Sequence, residues 1–367
     1  MKSLSVKALV LMATVALGFA SCKKQSDDQK LKTPETTAAA DFVSKDGALL
    51  AELFRKVGPQ SEFFTVQAEG QTRLVTKKKV TYTIPSLAFV KPDGSTATGV
   101  ISLSIKEIFE PKDFVFADKQ TASGANILQS FGEFFVRATQ GTTELKLRPG
   151  VTIGVQAPAV GRPAGQEKLP LWNGDTSATT TLNGYNQFNQ PVSVSVPVAV
   201  APGIDWSQLP TYALFNSTTG TVDFQLSELL RWTNCDVLYS TPNPKTTVLG
   251  YFSNYFNDET QQSLSEQPSL LYFKPQGINS VVKLYNLILG APAGYKGFLS
   301  YQAAVSIGQK GSFLAITALN GKFYAQLLPN VTVAAPAAGT NYSPIKFTLV
   351  EVSATDLVNL ITTLNTL

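Results

Sequence analysis

Four carboxylates lie close together in the sequence and are the side chains best suited to chemistry. They are Glu107, Glu110, Asp113 and Glu133. A glycoside hydrolase needs two carboxyl groups set roughly 5 to 10 Å apart. No motif marks two of these four as a pair, and we expect Glu107 to lie on a strand and to face solvent. The sequence therefore favours a protein without a catalytic carboxylate pair.

The absence of histidine limits the other kinds of active site. The 367 residues include no His and two Cys. The chain therefore lacks the base of Ser-His-Asp and Cys-His sites and the most common ligand of zinc, iron and copper. It contains no P-loop, no GxGxxG before a helix and no EF-hand loop, although an irregular calcium site made of oxygen ligands stays open. We expect no catalytic residue, no metal ligand and no cofactor.

The second cysteine, Cys235, has no partner thiol and no base close to it in sequence. A free cysteine in such a setting usually packs as a small hydrophobic residue. We therefore expect Cys235 to be buried and unreactive.

Aromatic residues and amides gather in the middle of the chain. Trp172 and Trp206 lie on either side of the stretch "NGYNQFNQP" (183–191), which contains Tyr185. Exposed aromatic rings beside amides can stack on a sugar and bind its hydroxyl groups, which makes these three residues a candidate ligand site. The alternative is that they pack in the core with their polar tips hydrogen-bonded, which is the more common fate of Trp and Tyr.

Charge gives no sign of a nucleic-acid partner. The net charge is +4, charged residues make up 15% of the chain, and the one cluster is Lys77-Lys78-Lys79. A basic patch or stripe would be needed for a nucleic-acid site. We interpret the three lysines as the solvated end of a strand.

The first 21 residues have the pattern of a secretory signal peptide. Lys2 and Lys7 precede an apolar run, residues 8–20, that is too short to span a bilayer. The segment "FASC" that ends at Cys22 resembles the lipobox of bacterial lipoproteins, in which the chain is cut before the cysteine and its thiol carries a lipid. The resemblance implies lipidation at Cys22; the alternative is an ordinary cleaved signal with an incidental cysteine.

Residues 22–40 have too little apolar surface to fold and are predicted to be a flexible tether. Their first part, "KKQSDD" (23–28), resembles the acidic surface-export tag of Bacteroidota lipoproteins, except for its two lysines. The alternative is a solvated tether without a signal. The resemblance implies an outer-membrane lipoprotein, and it leaves open whether the body faces the outside or the periplasm.

Beyond residue 40, the dominant hydrophobic period is two, with turn residues at short intervals. Segments such as "GVISLSIKEIF" (99–109) alternate, which is typical of β-sandwiches. We predict a mainly β chain of two or three sandwich-like domains in tandem: 41–160, 161–245 and 246–367. Helical spacing appears at residues 46–57, which stop at Gly58, and near residues 353–366, which begin with a Ser353 cap.

The segment "TIPSLAF" (83–89) followed by "KPDGSTATGVISLSIKEI" (91–108) resembles the β-sandwich module of ankyrins and netrin receptors. We expect Pro85 to end strand pairing because it has no N–H, and Ala88 and Phe89 to turn inward. The stretch "RWTNCD" (231–236) resembles a short motif of uncharacterised Bacteroidota envelope proteins. In ankyrins the module is a scaffold without catalytic residues, and that is all the resemblance implies here.

Together these patterns predict a lipid-anchored cell-envelope protein that is not an enzyme and acts by binding or scaffolding. Its expected partners are the membrane, through the lipid, and another envelope protein or a polysaccharide. The alternative is a glycan-binding outer-membrane lipoprotein of a saccharide-uptake system, which the aromatic and amide cluster motivates.

Overall fold

The computed structural model describes residues 44–159, 167–175, 179–185, 191–197, 203–261, 266–284, 286–287 and 295–367. Its helices are α1 (Lys45–Val57), α2 (Pro111–Phe116) and α3 (Ala354–Thr363), with 3-10 turns at Asp258–Gln261 and Leu364–Thr366. Its strands are β1 (Glu62–Gln67), β2 (Thr72–Val75), β3 (Thr81–Ile84), β4 (Phe89–Val90), β5 (Val100–Ile108), β6 (Ala122–Ser123), β7 (Asn126–Gln140), β8 (Thr143–Glu144), β9 (Lys146–Leu147), β10 (Ile153–Pro158), β11 (Lys168–Asp175), β12 (Thr179–Tyr185), β13 (Pro191–Pro197), β14 (Asp205–Asn216), β15 (Thr221–Leu226), β16 (Trp232–Leu238), β17 (Lys245–Phe252), β18 (Ser269–Pro275), β19 (Val282–Lys283), β20 (Asn286–Leu287), β21 (Lys296–Leu299), β22 (Val305–Ser306), β23 (Lys310–Leu319), β24 (Lys322–Thr332), β25 (Tyr342–Phe347) and β26 (Val350–Val352). The predicted mainly β class is confirmed.

The largest sheet has twelve strands and is nearly closed. Its main path runs β1-β5-β7-β16-β11-β14-β15-β10-β3-β2, with β6 and β8 paired to β7. The edge strands β1 and β2 stand at opposite ends of this order, yet residues 68–71 alone connect them. A four-residue link can span such a sheet only if the sheet rolls up, so the two edges approach each other.

The interior of this rolled sheet is the first hydrophobic core. Ile101, Leu103 and Ile105 of β5 point into it because successive side chains on a strand alternate between faces. Ala88 and Phe89 turn inward as expected and are 0% and 1% exposed. Pairing of β3 stops at Ile84, immediately before Pro85.

The C-terminal sheets form a second layered unit. One has the order β20-β21-β17-β22, with β25 beside β17, and the other has the order β19-β18-β23-β24-β26. Their facing sides enclose a core that includes Phe252, Phe273, Phe298 and Phe313. Two further two-stranded sheets pair β4 with β9 and β12 with β13.

The predicted boundary at residues 160/161 falls within the large sheet. Strands from both sides of it pair with each other, for example β10 with β15 and β7 with β16. The boundary at 245/246 lies at the change to the C-terminal sheets. Residues 41–367 cluster as one unit.

A third core joins the outer face of the rolled sheet to the C-terminal β18-β23 face and is closed by the helices. It contains Leu50 and Phe54 of α1, with Leu357 and Ile361 of α3. These four residues have the helical spacing seen in the sequence. None of the helices in the described ranges has the length and apolar character that a membrane crossing requires.

Both sequence-predicted helices are confirmed, and their caps explain their starts. The Ser44 hydroxyl accepts a hydrogen bond from Gly47 N at 3.0 Å, and α1 ends before Gly58. The Ser353 hydroxyl accepts from Asp356 N at 3.1 Å and starts α3. A side-chain acceptor satisfies backbone N–H groups that lack an intrahelical partner.

Candidate functional site

Two residues of the candidate sugar-binding site, Trp172 and Trp206, do not lie at the surface. Trp172 and Trp206 are 4% and 2% exposed and belong to the core beneath the helices. Their indole N–H groups donate to backbone carbonyls, Trp172 to Asp236 at 3.1 Å and Trp206 to Gln120 at 2.7 Å. Neither ring can stack on a sugar, so the expectation that these two residues bind ligand is wrong. The alternative of core packing with bonded polar tips is confirmed for both.

The structure describes no side chain for the other two candidate residues, Tyr185 and Cys22. The side chain of Tyr185 is not among the described side chains, although its backbone pairs with Pro191 across β12 and β13. The predicted signal peptide, residues 1–21, and the predicted tether, residues 22–40 with Cys22, precede the described residues.

Glu107 is buried, which contradicts the expectation that it faces solvent. It is 4% exposed and follows Ile101, Leu103 and Ile105 on the inner face of β5, because the alternation continues to the end of the strand. Its carboxylate accepts from Tyr82 Oη at 2.9 Å and from Thr76 Oγ1 at 3.0 Å. Burial raises the pKa of Glu107.

The other three neighbouring carboxylates have separate partners or surroundings. Lys112 Nζ lies 2.8 Å from Glu110 Oε2, and its hydrogen bond lowers the pKa of Glu110. Lys78 Nζ lies 3.2 Å from Asp113 Oδ2. Glu133 sits on the opposite face of the sheet from Glu107 and is fully buried.

A cleft opens between α1, the outer face of the rolled sheet and the C-terminal sheet, and it encloses about 670 Å³. Its apolar walls include Leu50, Phe54, Phe116, Phe135, Trp232 and Leu270. Its charged lining consists of Glu52, Arg55, Lys106, Asp118, Lys119, Glu266 and Lys283. The volume falls within the range of about 300 to 1,000 Å³ that is typical of small-molecule sites.

Close backbone packing places α1 over this cleft. A Cβ atom on Gly47 would lie 1.8 Å from the backbone oxygen of Glu266. Glycine therefore allows the first turn of α1 to approach the segment before β18. The Ser44 hydroxyl also donates to Glu259 Oε2 at 2.5 Å, which ties the same end of the helix to the 3-10 turn at Asp258–Gln261.

The floor of the cleft holds a buried ion pair. Lys283 Nζ lies 2.7 Å from Asp118 Oδ2, and Tyr272 Oη donates to Asp118 Oδ1 at 3.2 Å. Side-chain exposure is 7% for Lys283 and 9% for Asp118. Burial, with the carboxylate of Asp118 as a second cause, raises the pKa of Tyr272 well above its usual value. This group of three contributes no net charge to the floor.

Two further lysines stand on the same floor. Burial lowers the pKa of Lys119 and of Lys106. Lys119 Nζ lies 5.9 Å from the centre of the Trp232 ring. Lys106 pairs in register with Phe135, and Phe135 pairs with Trp232, so these three side chains lie side by side on β5, β7 and β16.

A pair of buried acids underlies the lysines. Glu133 and Asp236 are both 0% exposed. Burial raises the pKa of Asp236 to about 8, and burial together with the charge of Asp236 raises that of Glu133 well above its usual value. The described residues provide no hydrogen-bond partner for either carboxyl oxygen of Glu133 or for Oδ1 of Asp236. These acids are closed to solvent and do not form an accessible catalytic pair.

Cys235 is buried, as expected. It is 0% exposed in the core of the rolled sheet, and burial raises the pKa of its thiol. Its neighbours Asn234 and Asp236 point to the opposite face, since the strand alternates. The described ranges contain no group of three His, Cys, Asp or Glu side chains placed to hold a metal ion.

Sequence reasoning missed the cleft because its residues come from distant segments. The one useful signal was "RWTNCD": it includes Trp232 on the cleft wall and Asn234, Cys235 and Asp236 beneath it. Comparison of the chain with protein-family models, curated proteins and solved structures gives no match. The resemblance to the ankyrin module therefore stays a prediction from its residues.

Proposed function

We propose that this chain is a non-catalytic binding protein of the cell envelope, held at the outer membrane by a lipid on Cys22, and that the cleft beneath α1 is its ligand site. The observation that carries the binding role is the cleft itself, with about 670 Å³ of space between apolar walls and a few charged groups. Such a combination is typical of sites that hold small molecules.

Chemical composition supports a binding role over catalysis. The chain has no histidine, and the carboxylates that sequence reasoning considered for catalysis are buried or engaged in ion pairs. The cleft floor includes lysines beside aromatic rings, an arrangement that suits recognition.

The test of the cleft uses phenylnaphthylamine, an uncharged dye that fluoresces when it enters an apolar site. Ala51 lines the cleft, and the bulky indole of an Ala51→Trp variant should fill it and abolish most of the fluorescence increase. The matched control is Ala335→Trp, at an exposed position outside the cleft. Equal dye binding by both variants, with unchanged far-UV circular dichroism, would rule out the cleft as the site.

Lipid anchoring rests on the signal-like residues 1–21 and on the lipobox resemblance at Cys22. Two or three acyl chains hold a protein at a bilayer far more firmly than one, since each buried methylene contributes about 0.8 kcal/mol. The substitution Cys22→Ala should remove metabolic labelling by a fatty acid and release the protein from the membrane fraction. Persistent labelling of the variant would contradict the lipid anchor.

The side of the membrane can be measured by protease treatment of intact cells, with lysed cells as the control. Loss of the protein from intact cells means that the body is exposed outside, in line with the export-tag resemblance of "KKQSDD" (23–28). Protection in intact cells and digestion after lysis means that it faces the periplasm.

A further inference from the structure

Lys106 is a half-buried cation without a counter-charge. It lies on the cleft floor, and its side chain makes no hydrogen bond or ion pair with any residue in the described ranges. Removing an ammonium group from water without a partner costs free energy, and this is why burial lowers the pKa of Lys106. An anion delivered by a ligand would offset that cost.

A second lysine, Lys119, lies near Lys106 on the floor. The charges of Asp118, Glu133, Lys283 and Lys106 all act on Lys119. Asp118 is taken up by its ion pair with Lys283. The raised pKa of Glu133 favours its uncharged, protonated form, so this acid adds little negative charge beneath the floor.

The remaining charges stand farther out and partly cancel. Glu52 and Arg55 are exposed on consecutive turns of α1, and Glu266 is half-buried at the opposite wall. The cleft lining as a whole has four cationic and three acidic side chains. Its positive groups concentrate on the floor, where the dielectric constant is lowest and a charge interaction is strongest.

Aromatic rings flank the same floor. Phe135 and Trp232 have ring centres 5.4 Å apart and lie beside Lys106 across β7 and β16. Phe54 and Leu50 of α1 form the opposite wall. A ligand that reaches Lys106 must therefore pass its other atoms between apolar surfaces.

We infer that the cleft binds a small organic anion with an apolar body, whose acid group contacts Lys106 and whose body lies between Trp232, Phe135 and α1. The inference rests on the proposed function, because it names the ligand class of the same cleft. The acid group replaces water at the ammonium, and the apolar body is removed from water by the walls.

The test compares two dyes that share one ring system. Anilinonaphthalene sulfonate has a sulfonate, and phenylnaphthylamine lacks it. The unmodified protein should bind the sulfonate dye more tightly. Lys106→Met should weaken the sulfonate dye relative to the uncharged dye roughly tenfold to a hundredfold, the usual effect of losing a hydrogen bond to a charged group. The matched control is Lys146→Met, an exposed strand lysine outside the cleft, which should change neither affinity.

Each outcome separates the two claims. If neither dye binds, the proposed function fails. If the uncharged dye binds and the sulfonate dye binds with no higher affinity, the cleft remains a binding site and the anionic ligand class is overturned. The same conclusion follows if Lys106→Met and Lys146→Met lower the affinity for the sulfonate dye equally.

A second measurement needs no variant. Lys106 and Lys119 have lowered pKa values, so they lose their protons at a lower pH than ordinary lysines. The sulfonate dye should therefore lose affinity over a pH range below that in which ordinary lysines lose their protons, while the affinity of the uncharged dye stays constant. Affinity of the sulfonate dye that does not change over this range would also overturn the inference.

Discussion

The substitution Asp236→Asn should make the stability of this protein much less sensitive to pH. Asp236 is fully buried on β16, where its Oδ2 accepts a hydrogen bond from Asn234 Nδ2 at 2.5 Å. Burial raises its pKa from 3.8 to about 8. Asparagine has nearly the same shape and can accept the same hydrogen bond, but it never ionises.

The sign and size follow from proton binding. In the unfolded chain an aspartate has a pKa of about 3.9, so between about pH 4 and pH 8 the folded state holds a proton that the unfolded state has released. The stability that Asp236 contributes is complete below about pH 4, falls by about 1.4 kcal/mol per pH unit, and is lost by about pH 8. From pH 5 to pH 8 the loss is roughly 4 kcal/mol.

The assay is urea unfolding at pH 5 and pH 8, followed by tryptophan fluorescence. The quantity to compare is the free energy of unfolding of Asp236→Asn minus that of the unmodified protein, which should rise by roughly 4 kcal/mol between the two pH values. The control is Asp93→Asn. Asp93 is exposed, and the hydrogen bond from the Ser95 hydroxyl lowers its pKa, so it is ionised at both pH values and its difference should stay constant.

A change of less than about 1 kcal/mol in the Asp236→Asn difference would refute the reasoning. It would mean that Asp236 is solvated or paired in the folded protein and titrates as it does in the unfolded chain. A similar change for Asp93→Asn would attribute the effect to general electrostatics instead of burial.

Three further predictions concern packing. Gly47→Ala should destabilise the protein by about 1 to 3 kcal/mol and weaken phenylnaphthylamine binding, because its Cβ would collide with the Glu266 backbone. The control is Gly70→Ala, which has open space around it and should change neither property. Equal shifts of the melting temperature in the two variants would contradict this prediction. Acrylamide should quench native tryptophan fluorescence several-fold less than in urea, since all three indoles are buried, and equal quenching would place a ring at the surface. Cys235 should react with a thiol reagent at least a hundredfold more slowly in the native protein than in urea, and rapid native labelling would show that its burial is wrong.

Local patterns in the sequence determined the mainly β class, both long helices and the inward turn of Ala88 and Phe89. These features depend on residues near one another in the chain, through side-chain alternation, helical spacing and caps. The same alternation places Glu107 on the face of β5 opposite to Ser104, and this is the buried inner face. The expectation that Glu107 faces solvent was wrong. A carboxylate at the end of an apolar face is normally solvated, but here Tyr82 and Thr76 donate hydrogen bonds to it inside the protein.

Tertiary structure alone decided the closure of the large sheet, the burial of Trp172 and Trp206, and the site. The residue pattern of an alternating strand does not specify whether its second face meets water or another layer. Local patterns therefore could not show that α1 and the C-terminal sheet cover the outer face of β5, β7 and β16. Lys106 and Lys283 are far apart in the chain and share the cleft floor only after those layers pack. The sequence determined which segments are strands, and long-range packing determined which of their faces became the cleft.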